Sequence, residues 1–310
     1  MIWKFVGVML TLLIVLFSVG IVYQNIPGTP IEMKIEEINN ESFPIINYEG
    51  TPVFLENLRF NHNDISYFIN SSCSDVRRNA MIEAFDLFEW MVDNVRFHEV
   101  YSDADIDVEC SDNFVGLGDG LFAAGEGGPV RIINMSRFKV IEKGRIFLYD
   151  DPRCDYPIVE LHELWHVFGF DHSDNPMSIM YNTSRCEQRT TTDMIELVDD
   201  LYSIEALADV RISDLVAVKK GRYLDFNVTV LNEGLLDVSD VDLSIVVNGE
   251  VVDVLNFGRI DVGLGHVLRV ENLRLSSRDF DFVDFYVDKE NVIMELDEGN
   301  NFVRMTIEDL

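Results

Sequence analysis

Basic residues are scarce in this chain. Against 55 Asp and Glu it carries 24 Lys and Arg, a formal charge of -31 over 310 residues. The acid is spread along the whole chain, not confined to a tail. A surface of that sign repels nucleic-acid phosphates and anionic headgroups, which excludes a nucleic-acid partner. Solubility is a sufficient reason for the excess. Calcium sites and a salty habitat stay open, although the lysine and arginine content is not low enough to require the latter. Histidine is scarce too, with six in all, and cysteine has four positions with no C-x-x-C spacing. That absence speaks against a zinc knuckle or a thioredoxin-like redox site.

The longest apolar run is at the start. Residues 5–23 are interrupted only by Thr11, Ser18 and glycines, with Lys4 ahead of them. The run has the length needed to cross a bilayer, and the leading lysine favours an N-terminus kept in the cytoplasm. A cleaved signal peptide is the rival reading, with an apolar core ending near Phe17 and small Ser18 and Gly20 at the cleavage positions. The anchor is the working expectation, because the run continues through Ile21, Val22 and Tyr23. Either reading exports the rest of the chain. The even cysteine count, Cys73, Cys110, Cys154 and Cys186, then implies two disulfides. Three connectivities exist and the sequence does not choose; Cys73–Cys110 with Cys154–Cys186 is the working pairing.

After a spacer rich in Pro, Asn and Glu, with a first strand (25–58), a helix is expected from Ser74 to about Asn94. Ala80, Met81, Ala84, Phe85, Phe88, Met91 and Val92 recur there at helical spacing. ADIDVEC (104–110) alternates as a half-buried strand does. GLFAAGEGG (120–128) reads as a short strand closed by a glycine turn, and VRIIN and RIFLYDD as two more strands. Asp155 is expected to cap the next helix, with Pro157 in its first turn, and Asp193 with Glu196 to form a capping box for a later one. From about Val210 onward the alternation has period two. Leu224, Phe226, Val228 and Val230 form one face, and Asn248-Gly249 marks a tight hairpin turn. Several short strands of this kind imply a β-sandwich.

Three of the six histidines fall within HELWHVFGFDH. His162 and His166 are four residues apart, so a helix puts them on one face. Glu163 lies between them, where it can hold a water. Gly169 permits the left-handed turn that ends the helix and brings His172 back. Three imidazoles leave a fourth tetrahedral position open, the mark of a catalytic zinc site. His62, His98 and His266 stand alone and read as ordinary surface or core histidines.

This stretch resembles the metzincin zinc proteases, whose signature is H-E-x-x-H-x-x-G-x-x-H followed by a Met-turn. His162, Glu163, His166, Gly169 and His172 fill the fixed positions, and Met180 in SIMY fills the Met-turn. The short interval to Met180, and the tyrosine directly after it, are matrixin-like, so Tyr181 is not taken as a ligand. The resemblance implies Zn2+ on His162, His166 and His172, and Glu163 as the base that activates a bound water for peptide hydrolysis. It implies a hydrophobic floor at Met180 and a substrate-holding edge strand at Gly120, Leu121, Phe122, Ala123 and Ala124. Trp165 stands where the family has a small residue and is read as core. Asn182 replaces a common proline. PRCDYP (152–157) is similar to the family's cysteine switch, but it lies inside the domain, where a disulfide is the better reading.

The closing stretch DKENVIMELDEGNNF is similar to the end of CARDB domains, an adhesion-related immunoglobulin-like family of prokaryotic surface proteins. Asn291, Ile293, Glu295, Glu298, Asn300 and Asn301 carry that likeness. The expected architecture is an N-terminal transmembrane helix, an α+β metzincin-like catalytic domain with a twisted mixed sheet and three helices, and an all-β immunoglobulin-like sandwich. The expected bounds are 1–24 for the signal anchor or signal peptide, 25–58 for the spacer and first strand, 59–208 for the protease domain and 209–310 for the sandwich. The expected function is a membrane-anchored extracellular zinc endopeptidase with protein or peptide substrates, secreted instead if the leader is removed. The alternative is a cell-surface adhesion protein whose metzincin-like domain is inert and whose sandwich binds a surface ligand. Adhesion has no need of Glu163.

Overall fold

The computed structural model describes residues 2–38, 46, 50–112, 115–118 and 121–307. The chain divides into two compact units, one formed by residues 1–42 with 208–310 and the other by residues 43–207.

In the first unit, α1 (Ile2–Asn25) is the one described helix long and apolar enough to cross a membrane. None of its apolar span from Val6 is buried by protein. β1 (Ile31–Ile38) follows in the segment where a first strand was expected. It does not sit among its sequence neighbours. Ile31 and Glu32 pair with the strand that begins at Val210, and Met33 to Ile38 pair with the last strand of the chain.

The second unit alternates short strands and helices. In chain order these are β2 (Leu58–Arg59), β3 (Asp64–Ile69), α2 (Asp75–Met91), β4 (Arg96–Glu99), β5 (Ile106–Cys110), β6 (Val115–Gly118), β7 (Leu121–Ala123), β8 (Gly125–Asn134), β9 (Lys139–Leu148), α3 (Ile158–Val167) and α4 (Thr192–Ser203). The main sheet has the order β2-β9-β5-β3-β4, all parallel, and β8 lies antiparallel on β9. α2 begins as the sequence implies, with Ser74 Oγ accepting from the Arg77 amide at 3.3 Å. Its apolar face meets α3: Phe88 lies 4.4 Å from Trp165 and 4.5 Å from Phe168, ring centre to ring centre. Trp165 is fully buried and donates to Thr190 Oγ1, so it is core as expected.

Three local expectations are corrected. Pro157, not Asp155, holds the N-cap of α3, and no side chain caps it, since proline carries no side-chain acceptor; its restricted φ leads the chain into the helix. Thr191 precedes α4 without a side-chain cap, and the Asp193 carboxylate accepts the Thr51 hydroxyl at 2.8 Å instead of closing a capping box. The glycines at 125–128 make no turn; they open the ten-residue strand β8.

The remaining strands belong to the first unit: β10 (Val210–Lys220), β11 (Tyr223–Asn232), β12 (Asp242–Val247), β13 (Glu250–Asn256), β14 (Gly265–Arg274), β15 (Phe282–Val287) and β16 (Phe302–Ile307). With β1 they form an eight-stranded sheet in the order β13-β12-β15-β16-β1-β10-β11-β14, antiparallel throughout. Asn248 and Gly249 both have positive φ, as the tight hairpin turn between β12 and β13 requires. Phe226 on β11 meets Phe285 on β15 edge to face at 5.1 Å, although three strands separate them in the ladder. The sheet therefore folds over its own inner face. Leu224, Val228, Val230, Ile245 and Val283 fill the space between, all buried. The CARDB-like residues close this core from one end: Glu295 accepts the Val210 amide and the Asn301 side-chain amide, and Asn300 donates to Asp209. Their role here is structural.

Candidate metal centre

α3 brings His162 and His166 onto one face, with ring centres 4.6 Å apart. The helix stops where the sequence places glycine. Gly169 has φ +95, and the amides of Gly169 and Phe170 turn back to the carbonyls of His166 and Trp165. That left-handed turn satisfies the helix end and reverses the chain. His172 then returns, so that its Nε2 lies 3.3 Å from His162 Nε2, while His166 Nε2 lies 3.1 Å from His162 Nε2.

The outer nitrogens explain why this arrangement asks for a cation. His162 Nδ1 donates to the Ile179 carbonyl at 2.6 Å, and His166 Nδ1 donates to the Phe170 carbonyl at 2.7 Å. A carbonyl can only accept, so both protons sit on Nδ1 and both Nε2 atoms present lone pairs. Two lone pairs at 3.1 Å repel unless an ion lies between them. Tetrahedral zinc with imidazole ligands sets nitrogens about 3.3 Å apart, close to the spacing found. Burial pushes His162 down to about 4, with neighbouring His166 and His172 acting in the same direction. The imidazole therefore stays neutral and able to ligate in mildly acid solution. His162 is buried, His166 half-buried and His172 exposed, so the site opens on the His172 side.

Glu163 is buried, and burial, then Glu126 and Glu160, push its carboxyl up to about 8; the Gly127 amide donates to it and opposes the rise. β8 lies directly against it. A Cβ on Gly127 would sit 2.2 Å from the Glu163 carbonyl oxygen, and one on Gly125 would sit 2.7 Å from Glu163 Cγ. Gly127 lets the strand touch the helix backbone and Gly125 leaves room for the Glu163 side chain, and sequence reasoning missed both roles. The available signal was their spacing of two within an otherwise β-type segment, which marks a close backbone approach.

The site lies in a cleft of about 730 Å³. Ala123 to Gly127 line one side, and residues 150–154 and 182–186 line others. The disulfide Cys154–Cys186 ties the last two segments together, and Cys73–Cys110 ties the start of α2 to the end of β5. Both match the working pairing, and a bonded Cys154 has no thiol to act as a switch. Of the expected edge strand, Gly120 lies outside the described residues, Leu121 to Ala123 pair with β6, and Ala123 and Ala124 reach the cleft. Met180 is fully buried in the turn whose Ile179 carbonyl fixes His162. His62, His98 and His266 are held elsewhere, by Asp105, Asp64 and the Phe257 carbonyl respectively.

Residues 59–208 match the family model of the matrixins, and residues 205–305 match that of CARDB. The chain therefore carries a matrixin region followed by a CARDB region. No curated protein matches it. One solved structure that aligns with it is an NMR structure of one domain of a protein described as a cell-surface protein of Methanosarcina acetivorans. The identity is 19%, covering 33% of this chain and 93% of that one, with a TM-score of 0.27.

Proposed function

We propose that this chain is a zinc-dependent endopeptidase, held at the outer face of a membrane by α1, with its catalytic region at 59–208 and a sandwich at 209–310. The observation that carries the reading is the convergence of the three Nε2 atoms beside a buried carboxylate. His162, His166 and His172 fit zinc in number and spacing, and the first two fit it in tautomer. When bound there, zinc supplies Lewis acidity and makes a bound water easy to deprotonate.

The chain's own groups do the rest. Burial strengthens Glu163 as a base, and the charge of a cation held by the three histidines would favour its ionised form; the carboxylate takes a proton from the attacking water and returns it to the leaving amine. The carbonyls of Ile179 and Phe170 hold two ligands in one tautomer and orientation. Ala123 to Gly127 offer backbone along the cleft. Beyond β9, β8 has no strand partner among the described residues, so an extended peptide can add to its free edge. Unfolded protein segments are the substrate class that this geometry suits.

The test uses the detergent-solubilised full chain and an unfolded reporter protein. Wild type is expected to bind one zinc and cut the reporter. Glu163→Ala is expected to keep the zinc and lose about 10²- to 10⁴-fold in rate. Chelation should abolish cutting, and added zinc should restore it. A folded, zinc-loaded wild type that cuts nothing would overturn the enzymatic reading in favour of a surface-binding protein.

A further inference from the structure

The average charge of the chain repels anionic surfaces, yet the end of the sandwich that meets α1 is built the other way. Arg274 and Arg278 bind the last turn of that helix, and Arg222 is bonded to the stretch of chain between them. Arg278 Nη1 donates to the carbonyls of Tyr23 and Ile26, the latter at 3.0 Å, and its guanidinium lies 4.5 Å from the centre of the Tyr23 ring. Arg274 donates to Asn25 Oδ1 at 3.1 Å, beside the Tyr223 hydroxyl, which donates to the Asn25 carbonyl. Arg222 donates to the carbonyls of Leu275 and Ser276, between the other two. These contacts satisfy the negative end of the helix dipole.

They leave a surplus of charge. Lys220 is paired with Asp225, Arg269 with Glu271, and Asp279 and Asp281 share the neighbourhood of Lys219 and Arg278, which leaves Arg222 and Arg274 in excess. Among the described residues none of the three arginines has an ion pair. A guanidinium has five N–H donors, and the bonds to backbone and to Asn25 use only some of them. Depth decides what the others meet. From Lys4 to Tyr23 an α-helix rises about 30 Å, the thickness of the hydrocarbon core. Tyr23 therefore stands at the outer interface, the usual place for a membrane-flanking tyrosine. Arg278 and Arg274, bonded to residues 23–26, lie at the level of the phosphates.

We infer that Arg222, Arg274 and Arg278 form a collar that docks on the phosphate headgroups of an anionic bilayer, the same bilayer that α1 spans. The inference rests on the uncleaved-anchor reading of α1. Lipid phosphate is the occupant because it is the anion found at that depth and because the collar is continuous with the membrane helix. The collar sets the orientation of the sandwich on the membrane instead of leaving it to swing on a flexible stalk.

The test is backbone amide exchange of the full chain in nanodiscs, one set of phosphatidylcholine and one of phosphatidylglycerol. Segments 219–224 and 272–280 are expected to exchange about tenfold more slowly on phosphatidylglycerol, an effect lost in high salt. The triple variant Arg222→Gln, Arg274→Gln, Arg278→Gln should lose the difference while β15 keeps its protection. Should the variant misfold, the lipid and salt comparison on wild type decides alone. Equal exchange in both bilayers overturns the collar and leaves the anchor standing. Release of the native chain from membranes by alkaline carbonate overturns the anchor, and the collar with it.

Discussion

Three glycines at 125, 127 and 128 lie within one strand, and the structure assigns each a different consequence of gaining a methyl group. At Gly127 the new Cβ would lie 2.2 Å from the Glu163 carbonyl oxygen and under 3 Å from its carbonyl carbon and Cα. All three are backbone atoms, so no rotamer change relieves the clash. Carbon and oxygen in contact need more than 3 Å, so β8 and α3 must part by about 1 Å. Overpacking of this kind costs about 1–3 kcal/mol, and a displacement of that size at a catalytic group costs about 10²-fold in rate. At Gly125 the nearest atoms are Glu163 Cγ and Oε1, at 2.7 and 2.8 Å. Here the side chain can yield by rotating, but the yielding group is the proposed base. At Gly128 nothing lies within 4 Å. The expected pattern is loss of both stability and cutting for Gly127→Ala, loss of cutting with little loss of stability for Gly125→Ala, and neither for Gly128→Ala. Urea denaturation and reporter cleavage on the three variants read both quantities. Equal effects at 127 and 128, or an active Gly125→Ala, would refute the close-approach argument.

Other consequences can be measured alongside. Arg59 is fully buried and donates to the carbonyls of Leu201 and Ile204 and to Asn63, with its guanidinium 4.6 Å from the centre of the Tyr202 ring. Arg59→Met leaves those acceptors unpaired and is expected to cost about 3 kcal/mol in chemical denaturation. Asp105 is held at about 2: burial would raise it, but hydrogen bonds from His62 and Ser66 outweigh that. A depressed carboxylate contributes its stability above the ordinary value of 3.8 and loses it as pH falls toward 2. Wild type should therefore lose about 2 kcal/mol between pH 5 and 2 that Asp105→Asn does not lose, a difference that acid titration of thermal unfolding would show.

The sequence by itself determined the convergence of the three histidines. Two histidines four apart, a glycine three residues on and a third histidine three beyond that leave a helix and a left-handed turn little choice but to converge. It also determined the buried face of α2, the Asn248-Gly249 hairpin and the alternating strands of the eight-stranded sheet, because local periodicity is set by local geometry. Other features depend on partners far away in the chain. Nothing in residues 31–38 says that they pair with strands beginning at 210 and 302. The glycines of GEGG look like a turn until α3 is seen against them. Three arginines from 222 to 278 become a collar only when the end of α1 lies among them. Contacts of that separation are fixed by how whole faces pack, and packing is a property that no short window of sequence contains.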